Sequence, residues 1–299
     1  MTVFVAEFTT NHMGNLNLLF KMTESAKMCG ADFIKMQKKD VENFYSKEKL
    51  NSEFVSPYGK TYYDYRKIFE FSKEDFQRFD IKCKDIGIKW FTTIQDIKSM
   101  YDMLEFDLPM YKVASCNSNN SEFLDAIKIN VPKDKTLVIS VAGRTLEDIS
   151  RIIKKFDGYN LYILHCVAEY PCVECSLRLG NILRLKKEFE TDKIKIGYSG
   201  HETGIIPSLA AVDMGANLIE RHFCVSRDSF VHHIDCSLEP DEFKNMILLS
   251  KQKNLKKLYE RYLPPAAYSE SFGMSETEAE FLLKNHYGNT FLHHKNGCL

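Results

Sequence analysis

The chain has 299 residues, of which 40 are basic and 41 acidic, giving a net charge of −1, and 44% are hydrophobic. So balanced a charge supplies no field to draw the chain onto nucleic acid or an anionic membrane, and the composition excludes collagen-like and disordered classes. No apolar run approaches the roughly 18 residues of a membrane span, and the opening MTVFVAEFTTNH has no basic start and carries Glu7 inside its apolar run, so no signal peptide is expected.

Short β-branched or apolar runs alternate with helical stretches along the chain. Strands are predicted at 2–8, 32–37, 89–93, 110–115, 136–142, 160–166, 193–199 and 217–223. Helices are predicted at 15–29, 73–86, 95–104, 120–129, 145–156, 177–189, 203–214 and 239–259. A polar, aromatic insert at 38–71 separates the second strand from its helix. Eight strand–helix units over this length are the count and size of a closed (β/α)8 TIM barrel in the α/β class. An open doubly wound sheet is the alternative, but it calls for a glycine-rich turn after the first strand, and TTNHMGN is not GxGxxG. The expected division is a barrel domain over 1–260 and a short C-terminal extension over 261–299. That extension carries a capped helix from Ser275 to Lys284.

The nine cysteines are odd in number and scattered, which points to reduced thiols in a cytoplasmic protein. Cys172 and Cys175 form a CxxC with no partner pair at zinc spacing, so neither a zinc nor a redox site is expected there.

A (β/α)8 barrel places its chemistry at the C-terminal strand ends. Those ends carry Glu7, Asn11 and His12; Lys35 and Gln37; Thr92 and Thr93; Lys112, Ser115 and Asn117; Ser140; His165 and Tyr170; Ser199 and His201; and Glu220, Arg221 and His222. Singly, each has an ordinary structural reading as an ion-pair partner, a core histidine or a helix cap. Together, two lysines and several hydroxyls compose an anion pocket. No acid neighbours either lysine in sequence, which suggests a ligand as partner. His201 and His222 end adjacent strands and can share one divalent metal. The residues alone therefore reach a metal-assisted barrel enzyme acting on a phosphorylated or carboxylated small molecule.

The strings AEFTTNHMGNL, GADFIKMQ, KVASCNSNN, LHCVAEYP, IGYSGHETG, GANLIERHF and CSLEPDEF, in that order, resemble the N-acetylneuraminate (sialic acid) synthase family over about residues 2–250. PYGKTYYDYRKIFEFS is similar to a further segment of that family. The resemblance implies a transferase that condenses phosphoenolpyruvate with a sugar aldehyde to give a 2-keto-3-deoxy, nonulosonic-type acid for surface polysaccharide. It implies a divalent metal, Mn2+ first, held by His201 and His222. It implies substrate contacts from Thr93, Ser115, Ser140, Tyr170 and Ser199, and a catalytic set of Glu7, Lys35, Lys112, Asn117 and Glu220. The partners expected are phosphoenolpyruvate and an aldose, with no nucleic acid and no membrane; a homodimer is compatible with the sequence.

The chain departs from the family pattern in four places. Asn117 replaces a carboxylate proposed to handle water. Gly200 replaces the aspartate of SDHT, and Ala168 replaces a substrate-binding asparagine. His233 stands where an aspartate is expected near the metal; it and Asp235 are candidate third ligands, and a surface loop is the alternative. The family's antifreeze-like domain has no counterpart in the tail, so an acceptor other than N-acetylmannosamine is expected. If a lid exists, it should come from 265–299 or 38–71. The competing readings are a catalytically inactive binding relative and a metal-dependent aldolase with another donor.

Overall fold

The structure is a computed structural model and describes residues 1–284. The strands are β1 (Val3–Glu7), β2 (Phe33–Lys38), β3 (Glu53–Ser56), β4 (Gly59–Thr61), β5 (Lys89–Ile94), β6 (Met110–Val113), β7 (Thr136–Ser140), β8 (Asn160–His165), β9 (Ile194–Gly200) and β10 (Leu218–His222). All but β3 and β4 pair in parallel into one closed barrel in the order β1-β10-β9-β8-β7-β6-β5-β2, with β1 bonded to both β2 and β10. Closure removes both sheet edges and rules out the open doubly wound alternative. Each of the eight expected strands is present, with ends within two residues of expectation.

The helices are α1 (Leu16–Cys29), α2 (Val41–Phe44), α3 (Lys47–Asn51), α4 (Tyr62–Lys67), α5 (Lys73–Ile86), α6 (Ile97–Leu104), α7 (Ser121–Asn130), α8 (Leu146–Lys155), α9 (Gly180–Phe189), α10 (Ile206–Asp213), α11 (Pro240–Leu249), α12 (Leu255–Tyr262) and α13 (Glu276–Lys284). Local chemistry fixes many of their starts. Ser72 with Asp75 and Thr145 with Asp148 form reciprocal capping boxes, and the Asn15 side chain accepts from the amides of Asn17 and Leu18. The helix expected over 239–259 is two helices. Asn254 has φ 69°, a left-handed conformation that no right-handed helix can carry through its interior. The insert is more ordered than its sequence suggests. It holds α2, α3, the antiparallel β3–β4 pair and α4 around its own core of Val41, Phe44, Tyr45, Leu50, Tyr62, Tyr65 and Phe69. Elements of three to six residues are too short to register as periodicity.

Inside the barrel, alternation does the sorting. Val5, Phe91, Met110, Val138, Leu164 and Leu218 form an apolar layer that fills the lumen, with Phe33 packed against it. Two residues further along their strands, on the same face, stand Glu7, Thr93, Lys112, Ser140, Cys166, Glu220 and Lys35. On β9, Gly197 takes the apolar level and Ser199 the polar one. A Cβ on Gly197 would lie 2.5 Å from Leu164 Cδ2 and 2.7 Å from the Leu218 carbonyl oxygen, so the two leucines fill the space that a side chain there would need. The alternate faces, among them Ala6, Ile34, Tyr111 and Ile139, pack outward against the helix layer in the main core.

A buried ion pair locks the ends of β9 and β10. Arg221 Nη1 donates to Glu202 Oε1 at 2.7 Å, and Nη2 donates to the carbonyls of Glu202 and Cys236. Glu202 also accepts from Tyr198 Oη at 2.8 Å and Ser208 Oγ at 2.9 Å. A Cβ at Gly200 would sit 2.5 Å from Glu202 Oε2. The glycine in SGHE is thus the room that the Glu202 carboxylate needs. Replacing Glu202 with alanine strands Arg221 as an uncompensated buried charge. Urea unfolding of Glu202→Ala should show a loss of about 3–5 kcal/mol, and a loss under about 1 kcal/mol would contradict this account.

Candidate functional site

The polar layer of the lumen opens into a small cavity of about 80 Å³ at the C-terminal strand ends. Every barrel strand contributes one lining residue at this level: Glu7, Lys35, Thr93, Lys112, Ser140, Cys166, Ser199 and Glu220. Gln37, Gln95, Ser115, Ala168, Tyr170, His201 and His222 line it above.

The two lysines do not wait for a ligand to be neutralised, which corrects the expectation from sequence. Lys35 Nζ contacts Glu7 Oε2 and donates to Thr93 Oγ1 at 2.7 Å. Lys112 Nζ donates across the lumen to Glu220 Oε1 at 2.5 Å. Their acids come from other strands, 28 positions away in the first case and 108 in the second, so no local pattern reveals them. Two cations and two anions thus share one buried layer. Glu220 Oε1 also accepts from Ser199 Oγ at 3.0 Å, whereas its Oε2, like Ser140 Oγ, is buried with no hydrogen-bond partner.

The two carboxyls are pushed apart. Burial raises the Glu7 carboxyl, which Lys35 only partly offsets. Burial would raise Glu220 as well, but Lys112 and Lys35 together hold it down to about 2. Lys112 is lowered, chiefly by burial.

His201 and His222 stand with ring centres 5.6 Å apart. His201 Nδ1 bonds the Val167 carbonyl at 2.7 Å, and His222 Nδ1 meets Cys236 Sγ at 3.6 Å. Burial depresses both rings, His201 to about 3, so both are neutral imidazoles, the form that ligates metals. The His233 ring packs on Tyr170 with centres 4.0 Å apart and lies 6.1 Å from His222. Among the described residues no group of three His, Cys, Asp or Glu is placed to hold an ion, and Cys172 and Cys175 are free thiols.

Asn117 is outside the lining. Its Nδ2 donates to the Gln95 carbonyl at 2.8 Å and pins a 3-10 turn to the end of β5. Ser115 Oγ accepts from the Ala142 amide and meets Cys166 Sγ at 3.2 Å. Asn11, His12, Thr92, His165 and Arg221 serve the scaffold. The Asn11 amide bonds the Phe223 carbonyl and Ser237 Oγ, for example, and His165 Nε2 bonds the Leu177 carbonyl at 2.8 Å.

The tail reaches the cavity, as expected of a lid drawn from 265–299. Phe281 and Leu282 of α13 line the cavity, and the Phe281 ring packs 4.6 Å from Tyr170. Glu278, fully buried, ties α13 down by pairing with Arg178 Nη2 at 2.5 Å and accepting from the Ala168 amide at 3.2 Å. The Ser275–Glu278 capping box starts the helix, and Phe281 and Leu282 are the residues of it that the sequence did not single out.

With this geometry in place, the sequence profile of the NeuB family matches residues 22–260. N-acetylneuraminate-9-phosphate synthase of Drosophila melanogaster is 34% identical over 248 residues, covering 80% of this chain and 64% of that protein. The match therefore spans less than two-thirds of that relative's length. N,N'-diacetyllegionaminic acid synthase of Campylobacter jejuni is 29% identical over 260 residues, covering 84% of this chain and 76% of that protein. The crystal structure of N-acetylneuraminic acid synthetase from Leptospira borgpetersenii shares the fold. Its TM-score is 0.74 at 24% identity, over 99% of this chain and 92% of that one.

Two histidines of the scaffold give the folded state a pH signature. Burial lowers His12 to about 3 and His165 to about 4, from 6.5. Below pH 6.5 the unfolded chain takes up protons that the folded chain refuses, so stability falls as pH drops toward these values. The slope is up to about 1.4 kcal/mol per pH unit for each ring. Urea midpoints compared at about pH 7.5 and about pH 5 should show that decline, and His165→Gln should flatten it by about one proton. An undiminished slope in that variant would show that His165 titrates normally.

Proposed function

The chain belongs to the NeuB family, and from that premise we propose that it joins phosphoenolpyruvate to the open-chain aldehyde of a sugar. The products are a 2-keto-3-deoxy acid of the nonulosonic type and inorganic phosphate. One observation carries the reading. Two ammonium groups and a ring of hydroxyls surround a single cavity in which Ser140 Oγ and Glu220 Oε2 have no protein partner. Each ammonium has three N–H groups; Lys35 commits two and Lys112 one, so the remainder are available to a phosphate and a carboxylate.

The balance of the reaction assigns the work. C3 of phosphoenolpyruvate bonds to the aldehyde carbon, whose oxygen becomes a hydroxyl by taking a proton. The oxygen of a water bonds to C2 and gives up its protons, and the C2–O bond to phosphate breaks, leaving the ketone. Lys35, Lys112, Thr93, Ser115, Ser140 and Ser199 hold the donor so that two reactants behave as one positioned pair. Glu220 stays ionised and keeps Lys112 charged. Glu7, with its raised carboxyl, is the group that exchanges a proton with the new hydroxyl. Asn117 cannot act as a base and is committed to the Gln95 carbonyl.

Two neutral imidazoles, each engaged through Nδ1, fit a divalent cation, with Mn2+ the first choice. Bound there, it would supply Lewis-acid polarisation of the aldehyde oxygen. The cavity under α13 is well below the roughly 300–1,000 Å³ of ordinary ligand sites, so Phe281 and Leu282 must lift to admit substrates. Ala168, His233 and α13 reshape the acceptor side, which favours an aldose other than N-acetylmannosamine. Synthesis of surface polysaccharide precursors in the cytoplasm is part of the same proposal; no helix of the described residues is long and apolar enough to cross a membrane.

The test is phosphate release and keto-acid formation with phosphoenolpyruvate, Mn2+ and a panel of aldoses, scored as kcat/KM. Highest turnover with N-acetylmannosamine would overturn the acceptor reading, and no turnover with any aldose would overturn the reaction. Chelation should abolish activity and Mn2+ should restore it. Lys112→Met should raise KM for phosphoenolpyruvate about tenfold or more, the equivalent of one charged hydrogen bond. Unchanged KM and kcat would remove Lys112 from the site.

A further inference from the structure

Two imidazoles share a cation only if each turns toward it a nitrogen that carries no proton. The bond made by the other ring nitrogen decides which nitrogen that is. For His201 the decision is made by a carbonyl. Its Nδ1 faces the Val167 oxygen at 2.7 Å, and because a carbonyl only accepts, Nδ1 carries the proton. For His222 the partner is the thiol of Cys236, 3.6 Å from Nδ1, and a thiol can either donate or accept.

The surroundings of Cys236 choose the direction. Its Sγ donates to the His233 carbonyl at 3.2 Å. A thiol has one proton, so once that proton is given to the carbonyl, the sulfur can only accept from His222 Nδ1–H. The bonds then run from Nδ1–H to Sγ–H to the carbonyl oxygen, each polarising the next. The opposite direction would take the proton from the carbonyl and leave His222 protonated on Nε2, the tautomer that cannot ligate through that nitrogen.

The backbone holds the three groups in place. Arg221 Nη2 donates to the Cys236 carbonyl at 3.3 Å, and the Leu238 amide donates to the His222 carbonyl at 2.8 Å. The turn Ile234–Cys236 is thereby laid back against the end of β10. His233, at the start of that turn, has φ 63°, an uncommon conformation for a residue with a side chain, and its ring is seated on Tyr170. Cys236 is 1% exposed and is not among the residues that line the cavity, whereas His222 is. The thiol therefore stands behind the ring and reaches the cavity only through it.

We propose that Cys236 is a positioning residue: its thiol, anchored on the His233 carbonyl, accepts from His222 Nδ1 and so presents a bare Nε2 to the cation site. This rests on the divalent cation of the proposed reaction and adds the group that prepares one of its ligands.

The experiment uses the full chain and has two arms. In the first, side-chain nitrogen NMR reads the histidine tautomers without added metal, the His222 signals being those lost in His222→Gln. The unmodified protein should carry its proton on Nδ1, and Cys236→Ala should show a mixture of the two tautomers. In the second, Mn2+ binding is followed by loss of the free-ion paramagnetic resonance signal. Cys236→Ala should weaken it about tenfold, the low end for such outer partners because sulfur is a weak acceptor. Cys236→Ser keeps a donor and an acceptor in nearly the volume of alanine, so it should stay within about threefold of the unmodified protein. Phosphoenolpyruvate binding without metal should change less than about twofold in both variants. A proton on His222 Nε2 in the unmodified protein overturns the inference, as does an undiminished Mn2+ affinity in Cys236→Ala. A thiolate charge-transfer band on adding Co2+, lost in Cys236→Ser, overturns it by making Cys236 a ligand itself. If the variants do not fold, the nitrogen spectrum of the unmodified protein decides. Failure of the unmodified protein to bind Mn2+ would instead overturn the proposed cation, which the tautomer measurement does not require.

Discussion

Four charges held in one layer of a barrel lumen govern this molecule. Burying a single ammonium or carboxylate costs several kcal/mol even after relaxation, so Lys35, Lys112, Glu7 and Glu220 can share that layer only as neutral pairs. The pairs constrain the rest. They require β1 beside β2 in the register that sets Glu7 against Lys35. They also require the lumen to be narrow enough for Lys112 on β6 to reach Glu220 on β10. The apolar layer beneath excludes water from below, which keeps the local dielectric low and the two carboxyls far apart in proton affinity.

That neutrality explains why the cavity suits a ligand with several negative oxygens. The ammonium groups are held in place by carboxylates that leave part of their donor capacity open, and the hydroxyls at the same level are positioned before any ligand arrives. A site assembled in advance in this way spends little on reorganisation when charge develops. The histidine pair sits one level higher, where the strands give way to loops, so it faces both the lumen and the mouth.

The mouth carries most of this chain's individuality. Glu278, though on the tail, is as deeply buried as any lumen residue, and its contacts with Arg178 and the Ala168 amide make α13 part of the site wall. The insert contributes the opposite wall and leans on the loop after β10 through Tyr65 and His232, whose ring centres are 4.6 Å apart. His233 joins this aromatic seam, its ring centre 5.7 Å from that of His232.

The sequence alone determined the barrel. Alternation of period two within strands and amphipathic helices between them are local properties, legible residue by residue. Glu7, Lys35, Thr93, Lys112, Ser140, Ser199 and Glu220 were among the strand-end residues read from sequence and were singled out by the family resemblance. Even the α13 helix was announced by its capping box. What the sequence could not say was who answers whom. The acids that neutralise Lys35 and Lys112, the carbonyl that engages Asn117 and the carboxylate that fills the space at Gly200 each depend on how strands and turns meet. Those partners are chosen by barrel closure and register, which bring distant residues within a few ångströms. The contacts that seat α13, Glu278 with Arg178 and with the Ala168 amide, were decided the same way, because long-range contact is a property of the closed structure and not of any window of the chain.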